Sequence, residues 1–519
     1  MSPRFYLFVL WVLCCLVPNP CLAAEPEENT SFTQAVEAQW KRNFDEAIRL
    51  YSRVIDQNPK NAQALFYRGV AYRSKGREDQ ALSDFEKAAA LNPELVEAIY
   101  GKGLIYLHKK NYEKALQDMD QVLAKVPDYE GAVRARGEAE IYTGKFAEAI
   151  KDLSNAIRIY PDDGEAYFLR GLGYLKEGRN DQATADFKKT VEFDKNNISA
   201  WAGLGKISLA SGKAEEAVDY YNKVIKLDPK NEEALKNRGY ARYLLGDYQK
   251  AMNDLNAALT MDPKDLQSLE TRADVEIKLG KKDAALKDYD ALLSIRGDDA
   301  SLLYKKALLL SDLGKKEEAQ KDFSRVLELK PGDFDTLVHR AGIFIDQGAY
   351  QKALDDLSQA SSVRPQDRSV ILERAAIYKN LKKYDKAAGD FAQAINLDPS
   401  ANDTAKLYYS LGESLLLAGR QDYAIRAFTK ALQLDPKNGL AYANRGVAFK
   451  DKGDWNAAES DFRSSLNLLE KASSRKYVSQ LLTEVETRIQ SDEPKGLLDQ
   501  VLGIFPKTGS EKMKFRNLW

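Results

Sequence analysis

The chain has 519 residues, of which 44% are hydrophobic and 30% are charged. Its 77 basic residues nearly cancel its 78 acidic ones, which excludes a general positive field of the kind that attracts nucleic acid or anionic lipid. The two histidines lie far apart in the sequence and all three cysteines lie within residues 1–23, which a signal peptide would remove, so we expect no zinc or iron site of ordinary type and no cofactor.

The N-terminus predicts a secretory signal peptide over residues 1–23. A basic start is followed by the apolar run Phe5–Val17 and by small residues at Ala23 and Ala24. The run is too short for a membrane span, which needs about twenty residues. We expect cleavage after Ala23, with an uncleaved anchor as the alternative. The expected compartment is a bacterial periplasm or the cell exterior, and the endoplasmic reticulum lumen is the alternative.

Proline recurs through most of the chain at a spacing of 34 residues, with misses at Lys195 and Gly297. When proline is numbered position 32, thirteen repeats begin at Glu28, Ala62, Val96, Glu130, Gly164, Ile198, Glu232, Leu266, Ala300, Phe334, Arg368, Ala405 and Gly439. Position 20 is alanine in all thirteen, position 8 is always glycine or alanine, and position 24 is always large and apolar. Position 15 is glycine in ten repeats, which is typical of the end of a helix. The period predicts an array of helix pairs that bury their apolar faces only by stacking.

These residues resemble the tetratricopeptide repeat family over most of the chain. The resemblance implies an all-α, right-handed superhelical solenoid of antiparallel helix pairs. It also implies that the first helix of each pair lines a concave groove for peptides or protein partners, without naming the partner.

The repeats divide the chain into five segments. Repeats one to eleven occupy residues 28–401, and a three-residue insertion precedes repeats twelve and thirteen in residues 402–472. Residues 473–492 predict a helix that caps the array, because the ends of a solenoid need a cover. Residues 493–519 predict a short amphipathic helix and a basic tail, which either packs as a second cap or docks on a partner or a membrane surface.

Catalytic chemistry has no candidate residues in this sequence. His108 and His339 lie in distant repeats, no phosphate-binding loop follows a strand pattern, and carboxylates such as Asp163 and Asp299 stand where helix capping explains them. We therefore expect that the chain is not an enzyme.

Position 7 carries arginine or lysine in ten repeats, and in the same ten repeats position 23 is aspartate. Both charges are absent from repeats one, six and twelve, where the two positions hold Gln34 and Leu50, Leu204 and Tyr220, and Leu411 and Ala427. This joint loss predicts a structural ion pair within each repeat. The pairs are Arg68 and Asp84, Lys102 and Asp118, Arg136 and Asp152, Arg170 and Asp186, Arg238 and Asp254, Arg272 and Asp288, Lys306 and Asp322, Arg340 and Asp356, Arg374 and Asp390, and Arg445 and Asp461.

The family geometry places positions 2, 5, 9 and 12 of each first helix on the groove. In repeats two to five these positions form an apolar stripe that predicts a partner-binding groove with aromatic anchors. The alternative is that the same aromatic residues pack between stacked helices. Candidate groove residues are Phe66, Val70, Tyr100, Leu104, Arg134, Phe168, Leu172, Leu175, Lys206 and Lys236.

The preferred hypothesis is an exported scaffold or adaptor that binds a protein or peptide partner in cell-envelope assembly or secretion. The first alternative is a regulatory or recruiting subunit for surface polysaccharide synthesis or export. The second alternative is a lumenal co-chaperone. No nucleic acid is expected as a partner, and membrane contact is expected at most through the C-terminal tail.

Overall fold

A computed structural model describes residues 26–492 of the chain. Every regular element in that range is a helix, which confirms the all-α fold class. The predicted signal peptide and the predicted C-terminal tail lie outside the described residues. By its internal contacts the chain divides into two compact units, Met1–Val275 and Glu276–Trp519.

In the N-terminal unit, successive helices pack on one another as pairs, with a first and a second helix in each repeat. The helices are α1 Pro26–Trp40, α2 Phe44–Gln57, α3 Ala62–Ser74, α4 Glu78–Leu91, α5 Val96–His108, α6 Tyr112–Lys125, α7 Glu130–Thr143, α8 Phe146–Ile159, α9 Gly164–Lys176, α10 Asn180–Phe193, α11 Ile198–Ala210, α12 Ala214–Leu227, α13 Glu232–Leu244 and α14 Tyr248–Met261.

Helix α15, Leu266–Lys278, contains the division between the units, which therefore falls inside repeat eight. The C-terminal unit continues with the same pairing and ends in one longer helix. Its helices are α16 Lys282–Arg296, α17 Ala300–Asp312, α18 Lys316–Leu329, α19 Phe334–Asp346, α20 Tyr350–Val363, α21 Arg368–Asn380, α22 Tyr384–Leu397, α23 Thr404–Leu417, α24 Gln421–Leu434, α25 Gly439–Lys452, α26 Trp455–Leu468 and α27 Ala472–Asp492.

Position 15 ends the first helix of every repeat in a left-handed backbone conformation. Ten repeats use glycine there, with φ between 71° and 82°, and the other three use Arg42, Lys110 and Lys382 at φ of 57–59°. Only glycine adopts this conformation without steric cost. The predicted glycine signal therefore marks a backbone requirement that all thirteen repeats meet.

The core of each repeat lies where position 8 of the first helix meets position 24 of the second. A Cβ atom added at Gly69 would stand 2.8 Å from the Phe85 ring, and one added at Gly171 would stand 2.8 Å from the Phe187 ring. The small residue at position 8 is needed because the aromatic ring at position 24 occupies the space of its side chain.

The last helix covers the apolar side of repeat thirteen. Val478, Leu481 and Val485 of α27 are buried in one cluster with Phe462 and Val447. α27 spans Ala472–Asp492, and its role as the cap of the array stays a prediction.

The charged residues at positions 7 and 23 lie together inside the repeats. In repeat ten the Arg340 guanidinium donates from Nε and Nη2 to the two carboxylate oxygens of Asp356 at 2.9 and 2.6 Å. Asp356 is only 4% exposed, so its charge depends on this fork for compensation. The same two-point contact joins Arg68 to Asp84, Arg136 to Asp152, Arg170 to Asp186, Arg238 to Asp254, Arg374 to Asp390 and Arg445 to Asp461.

Lysine replaces arginine at position 7 of repeats three and nine. Lys102 Nζ lies 2.8 Å from one oxygen of Asp118, and Lys306 Nζ lies 3.4 Å from Asp322. The second oxygen of Asp118 is buried without a hydrogen-bond partner in the described part of the chain. Burial raises the pKa of Asp118, against the opposing effect of Lys102. Arg272 and Asp288 stand on opposite sides of the division between the two units, and their pairing stays a prediction.

The position 7 side chain also reaches the preceding repeat, which the pairing argument from sequence did not include. Arg340 Nη1 donates to Ser324 Oγ at 3.0 Å, and Ser324 occupies position 25 of the second helix of repeat nine. Equivalent contacts at 2.8–3.1 Å join Arg68 to Ser52, Arg136 to Asp120, Arg170 to Ser154, Arg238 to Asn222, Arg272 to Asn256, Lys306 to Asp290 and Arg445 to Thr429. We call this three-helix arrangement of positions 25, 7 and 23 the position 7 network.

We expect Arg340→Leu alone to destabilise the chain more than Arg340→Leu combined with Asp356→Ala, the type of combination that repeat twelve already has. The single change leaves a buried carboxylate uncompensated, at a cost of about 3 to 5 kcal/mol. Repeat seven is less suitable for this test because Arg242 also donates to Asp254, at 2.6 Å. A double-mutant cycle on chemical unfolding measures the coupling, and strictly additive effects would refute it.

Candidate protein-binding face

Positions 2, 5, 9, 12 and 13 of the first helices form a surface that we call the first-helix face. Its three aromatic candidates are each half-buried. The Phe66 ring centroid lies 5.8 Å from that of Phe85, and the Phe168 ring lies 6.0 Å from Phe187. Each of these rings thus rests on the position 24 side chain of its own repeat and leaves only part of its surface for a partner.

Tyr100 is held by the start of α7, the first helix of the next repeat. Its ring lies 5.0 Å from the ring of Tyr129, and a Cβ added at Gly131 would overlap its hydroxyl oxygen. Burial raises the pKa of the Tyr100 hydroxyl, and the nearby guanidinium groups of Arg134 and Arg73 oppose that rise. The absence of a side chain at Gly131 is therefore what allows Tyr100 to lie along the start of α7.

The aliphatic candidates follow the same half-buried pattern. Val70 packs against the cluster that contains Phe85 and Ile105. Leu104 and Leu172 pack against the large core cluster of repeats three to five, and Leu175 packs against the core of repeats five and six. The structure thus gives repeats two, three and five a row of partly exposed apolar side chains, each of which also contributes to stacking.

The two lysine candidates differ in exposure and in their contacts with acidic side chains. Lys206 is exposed, whereas Lys236 lies 3.0 Å from Asp265. Glu232, Asp262 and Asp265 lie close enough together to share a cation, but the Lys236 ammonium group already stands beside them. This cluster is therefore explained by an ion pair.

Three partly exposed residues of repeat seven extend the apolar surface beyond the predicted stripe. Tyr240 and Tyr243 lie at positions 9 and 12 with ring centroids 6.4 Å apart, and Leu244 at position 13 is 49% exposed. Counting positions 9, 12 and 13 through repeat seven would have found these residues in the sequence. In repeats six and seven the sequence pattern predicts only Lys206 and Lys236 as candidate groove residues.

Aromatic residues also line the edge where first helices end. Tyr142, at position 13 of repeat four, is 53% exposed and stacks on Tyr112 with centroids 4.9 Å apart. The corresponding pair in the preceding repeats is His108 and Glu78, joined at 2.7 Å. His108 is thus an exposed side chain that contacts a carboxylate of the preceding repeat.

In the C-terminal unit, polar contacts join the first-helix faces of successive repeats. Lys379 at position 12 donates to Glu413 at position 9 of the next repeat. Asn444, at position 6 beside the face, donates to the Tyr409 hydroxyl at position 5 of the preceding repeat at 3.1 Å. His339 lies against Tyr304, with ring centroids 5.8 Å apart. These polar side chains already have partners in the adjacent repeat. Fewer such contacts join the first-helix face of repeats two to five.

Comparison with known protein families shows which repeat family these helix pairs match. A family model described as Tetratricopeptide repeat matches residues 32–95, 77–130, 134–198, 202–265 and 236–301. Two more models of the same description match residues 405–438, and residues 300–333 and 369–400. The chain belongs to the tetratricopeptide repeat family. This membership supports a protein-interaction scaffold, in a family whose members are typically not enzymes.

Solved structures of tetratricopeptide proteins resemble parts of the chain. YrrB, described as having an unusual peptide-binding site, is 23% identical over 36% of this chain and 95% of its own, with a TM-score of 0.32. A tetratricopeptide repeat protein from Parabacteroides merdae is 22% identical over 49% of this chain and 98% of its own, with a TM-score of 0.33. Yeast Tom70 is 16% identical over 91% of this chain and 98% of its own, with a TM-score of 0.29. At these TM-scores the similarities add nothing to the family assignment.

Among the tetratricopeptide helices of residues 26–492, none is both long and apolar enough to cross a membrane.

Glu140 is a buried acid that the sequence did not single out. It occupies position 11 of repeat four, where repeats two, three and five have tyrosine, and it is 8% exposed. Burial, together with repulsion by Asp152, raises its pKa from 4.5 to about 7, and one of its oxygens has no hydrogen-bond partner among the described residues. Repeat four thus places Glu140 beside Arg136, which already binds Asp152 and Asp120.

We expect Glu140→Gln to stabilise the tetratricopeptide array at pH 8 and to have little effect at pH 5. The folded-state pKa lies above the unfolded one, so the folded chain binds more protons between them and its stability falls as pH rises from 4.5 to about 7. The amide removes this loss, which amounts to about 3 kcal/mol. Thermal unfolding across this pH range measures the difference, and parallel profiles for the two chains would contradict it.

Proposed function

We propose that this chain is an exported scaffold that binds a protein or peptide partner through the first-helix face of repeats two to five. The observation that carries the proposal is the row of partly exposed apolar side chains at positions 5 and 9 of repeats two, three and five, which include Val70, Leu104 and Leu172. Repeat four has Arg134 and Glu138 at these two positions. An extended or helical segment that crosses these repeats would bury all of them together.

The pattern of polar contacts supports this part of the face over the C-terminal unit. In repeats eleven to thirteen, side chains such as Lys379 and Asn444 already bond to the neighbouring repeat. In repeats two to five the corresponding face positions are mostly apolar, and exposure of their side chains to water is unfavourable. A partner therefore gains more by covering the N-terminal face.

The proposed site of action is the cell envelope, where the protein would take part in assembly or secretion. The support is the predicted signal peptide together with a family that binds proteins. A scaffold with many repeats offers several binding sites on one chain, which suits the assembly of components outside the cytoplasm.

Changing Leu104 and Leu172 together to glutamine should weaken partner capture by about tenfold or more, because polar groups would then face the apolar side chains of the partner. Glutamine has nearly the volume of leucine, so the stacking contacts are largely kept. The measurement is cross-linking of the exported chain in its native envelope, with quantitative mass spectrometry of what it captures.

The matched control changes Leu91 and Leu227 to glutamine. These leucines are 42% and 38% exposed and lie at position 30 at the ends of second helices, away from the proposed face. If both double variants lost the same partners, or if neither did, the first-helix face would not be the binding surface.

Export has its own test. N-terminal sequencing of the protein recovered from its native cell should give a chain that begins near Ala24. An intact Met1 on a membrane-bound product would contradict the proposed export.

A further inference from the structure

Charged side chains are distributed unequally along the first-helix face of repeats two to five, with a basic side chain, Arg73, at one end. Arg73 occupies position 12 of repeat two, and no carboxylate lies within ion-pair distance of it in the part of the chain that the structure describes. The equivalent cation in repeat eleven, Lys379, bonds to Glu413 at position 9 of repeat twelve. In repeat three position 9 is Leu104, so the same geometry offers Arg73 an apolar neighbour instead of an acid.

Two acids lie at the other end of this face. They are Glu138 at position 9 of repeat four and Glu165 at position 2 of repeat five. Burial is the larger cause that raises the pKa of each; Glu165 adds to the rise for Glu138, and Asp163 and Asp194 add to the rise for Glu165. Arg134 partly offsets them. Its contact with Asp163 is long, at 3.7 Å, and the Asp163 oxygen already accepts from the backbone of Glu165 and Ala166. The acidic end is therefore incompletely compensated.

Tyr100 and Leu104 separate the two ends. Tyr100 lies against Gly131, and Arg134 stands three residues further on the same side of α7. Its ring is fixed by Tyr129 at 5.0 Å, so this middle section is apolar and already ordered. An ordered apolar surface costs a partner little conformational entropy to engage.

We propose that this face binds an extended peptide segment that carries an acidic side chain at Arg73, apolar side chains over Tyr100 and Leu104, and a basic side chain at Glu138 and Glu165. The proposal rests on the proposed function and specifies the partner for the same surface. Charge complementarity at both ends fixes the direction of the bound segment, since the reversed order would bring like charges together.

The test begins with a random peptide library on phage, selected against the full exported chain. The selected sequences should place an acid before or after an apolar stretch and a base at its opposite end. A labelled peptide of this pattern is then compared by fluorescence anisotropy with a peptide of identical composition in which the acidic and basic residues are exchanged. The exchanged peptide should bind about tenfold more weakly or worse, with the difference shrinking at high salt.

Arg73→Glu provides the sharper test. It should weaken binding of the original peptide by about tenfold or more, and a peptide with lysine in place of its acid should recover the affinity. Arg53→Glu, at an exposed position of α2, is the matched control and should change neither peptide. Unchanged thermal unfolding of Arg73→Glu would show that the effect lies in binding.

The outcomes separate this proposal from the proposed function. If Leu104→Gln weakens the peptides but the exchanged peptide and the Arg73→Glu chain bind as well as the originals, the face binds peptides without the charge pattern and the present proposal is wrong. If no peptide binds the wild-type chain better than it binds Leu104→Gln, the peptide-binding face itself is contradicted.

Discussion

A half-buried guanidinium that must donate to three acceptor atoms on two other helices is the constraint on which the array depends. In repeat five, Arg170 donates to both oxygens of Asp186 at 2.8 Å and to Ser154 of the preceding repeat at 3.1 Å. The fork of arginine fits this demand because its donors diverge in one plane, whereas a lysine ammonium acts as a single point charge. Lys102 shows the consequence, since one oxygen of Asp118 remains without a partner in the described chain. Aromatic residues one turn away, such as Tyr72 beside Arg68, cover the guanidinium and separate it from water.

The position 7 network also limits which positions of the first helices remain on the surface. Positions 4, 8 and 11 face the second helix or its neighbours, and position 7 joins two repeats, so positions 5, 9, 12 and 13 remain for the outer surface. Repeats six and twelve replace the network with apolar residues such as Leu204, and the buried ion pair is therefore one of two solutions that the same helix packing accepts. The proposed binding surface, in contrast, does not follow the period: positions 12 and 9 hold Arg73, Leu104 and Glu138 here but residues of other size and charge, such as Ile141 and Lys206, elsewhere.

Most of the fold could be predicted from the sequence because each repeat imposes the same packing on the same positions. Gly171 against Phe187, and the helix ends at position 15, recur with the period and follow from it. The link from position 7 to position 25 was missed although the sequence contained a signal. Hydrogen-bond acceptors stand at position 25 before each repeat with a position 7 cation, whereas Lys188 and Ala392 precede the repeats without one. The exposure of surface side chains was harder to predict. Whether Phe66 packs or protrudes depends on the distance between adjacent helices, which the spacing of residues in the sequence does not determine. Glu140 could not be singled out either, since its raised pKa arises from burial and from repulsion by Asp152 on the next helix.

A reciprocal exchange at position 7 tests the network most directly. Hydrogen exchange with mass spectrometry follows α5 and α6 in the Lys102→Arg chain, and α9 and α10 in the Arg170→Lys chain, against wild type in each case. If the guanidinium fork is what satisfies the buried aspartate, arginine at residue 102 supplies the missing partner of Asp118 and slows exchange in repeat three. Lysine at residue 170 leaves an oxygen of Asp186 unsatisfied and speeds exchange in repeat five. Equal exchange in both pairs, or changes of the same sign, would show that a positive charge alone is enough and would contradict the account.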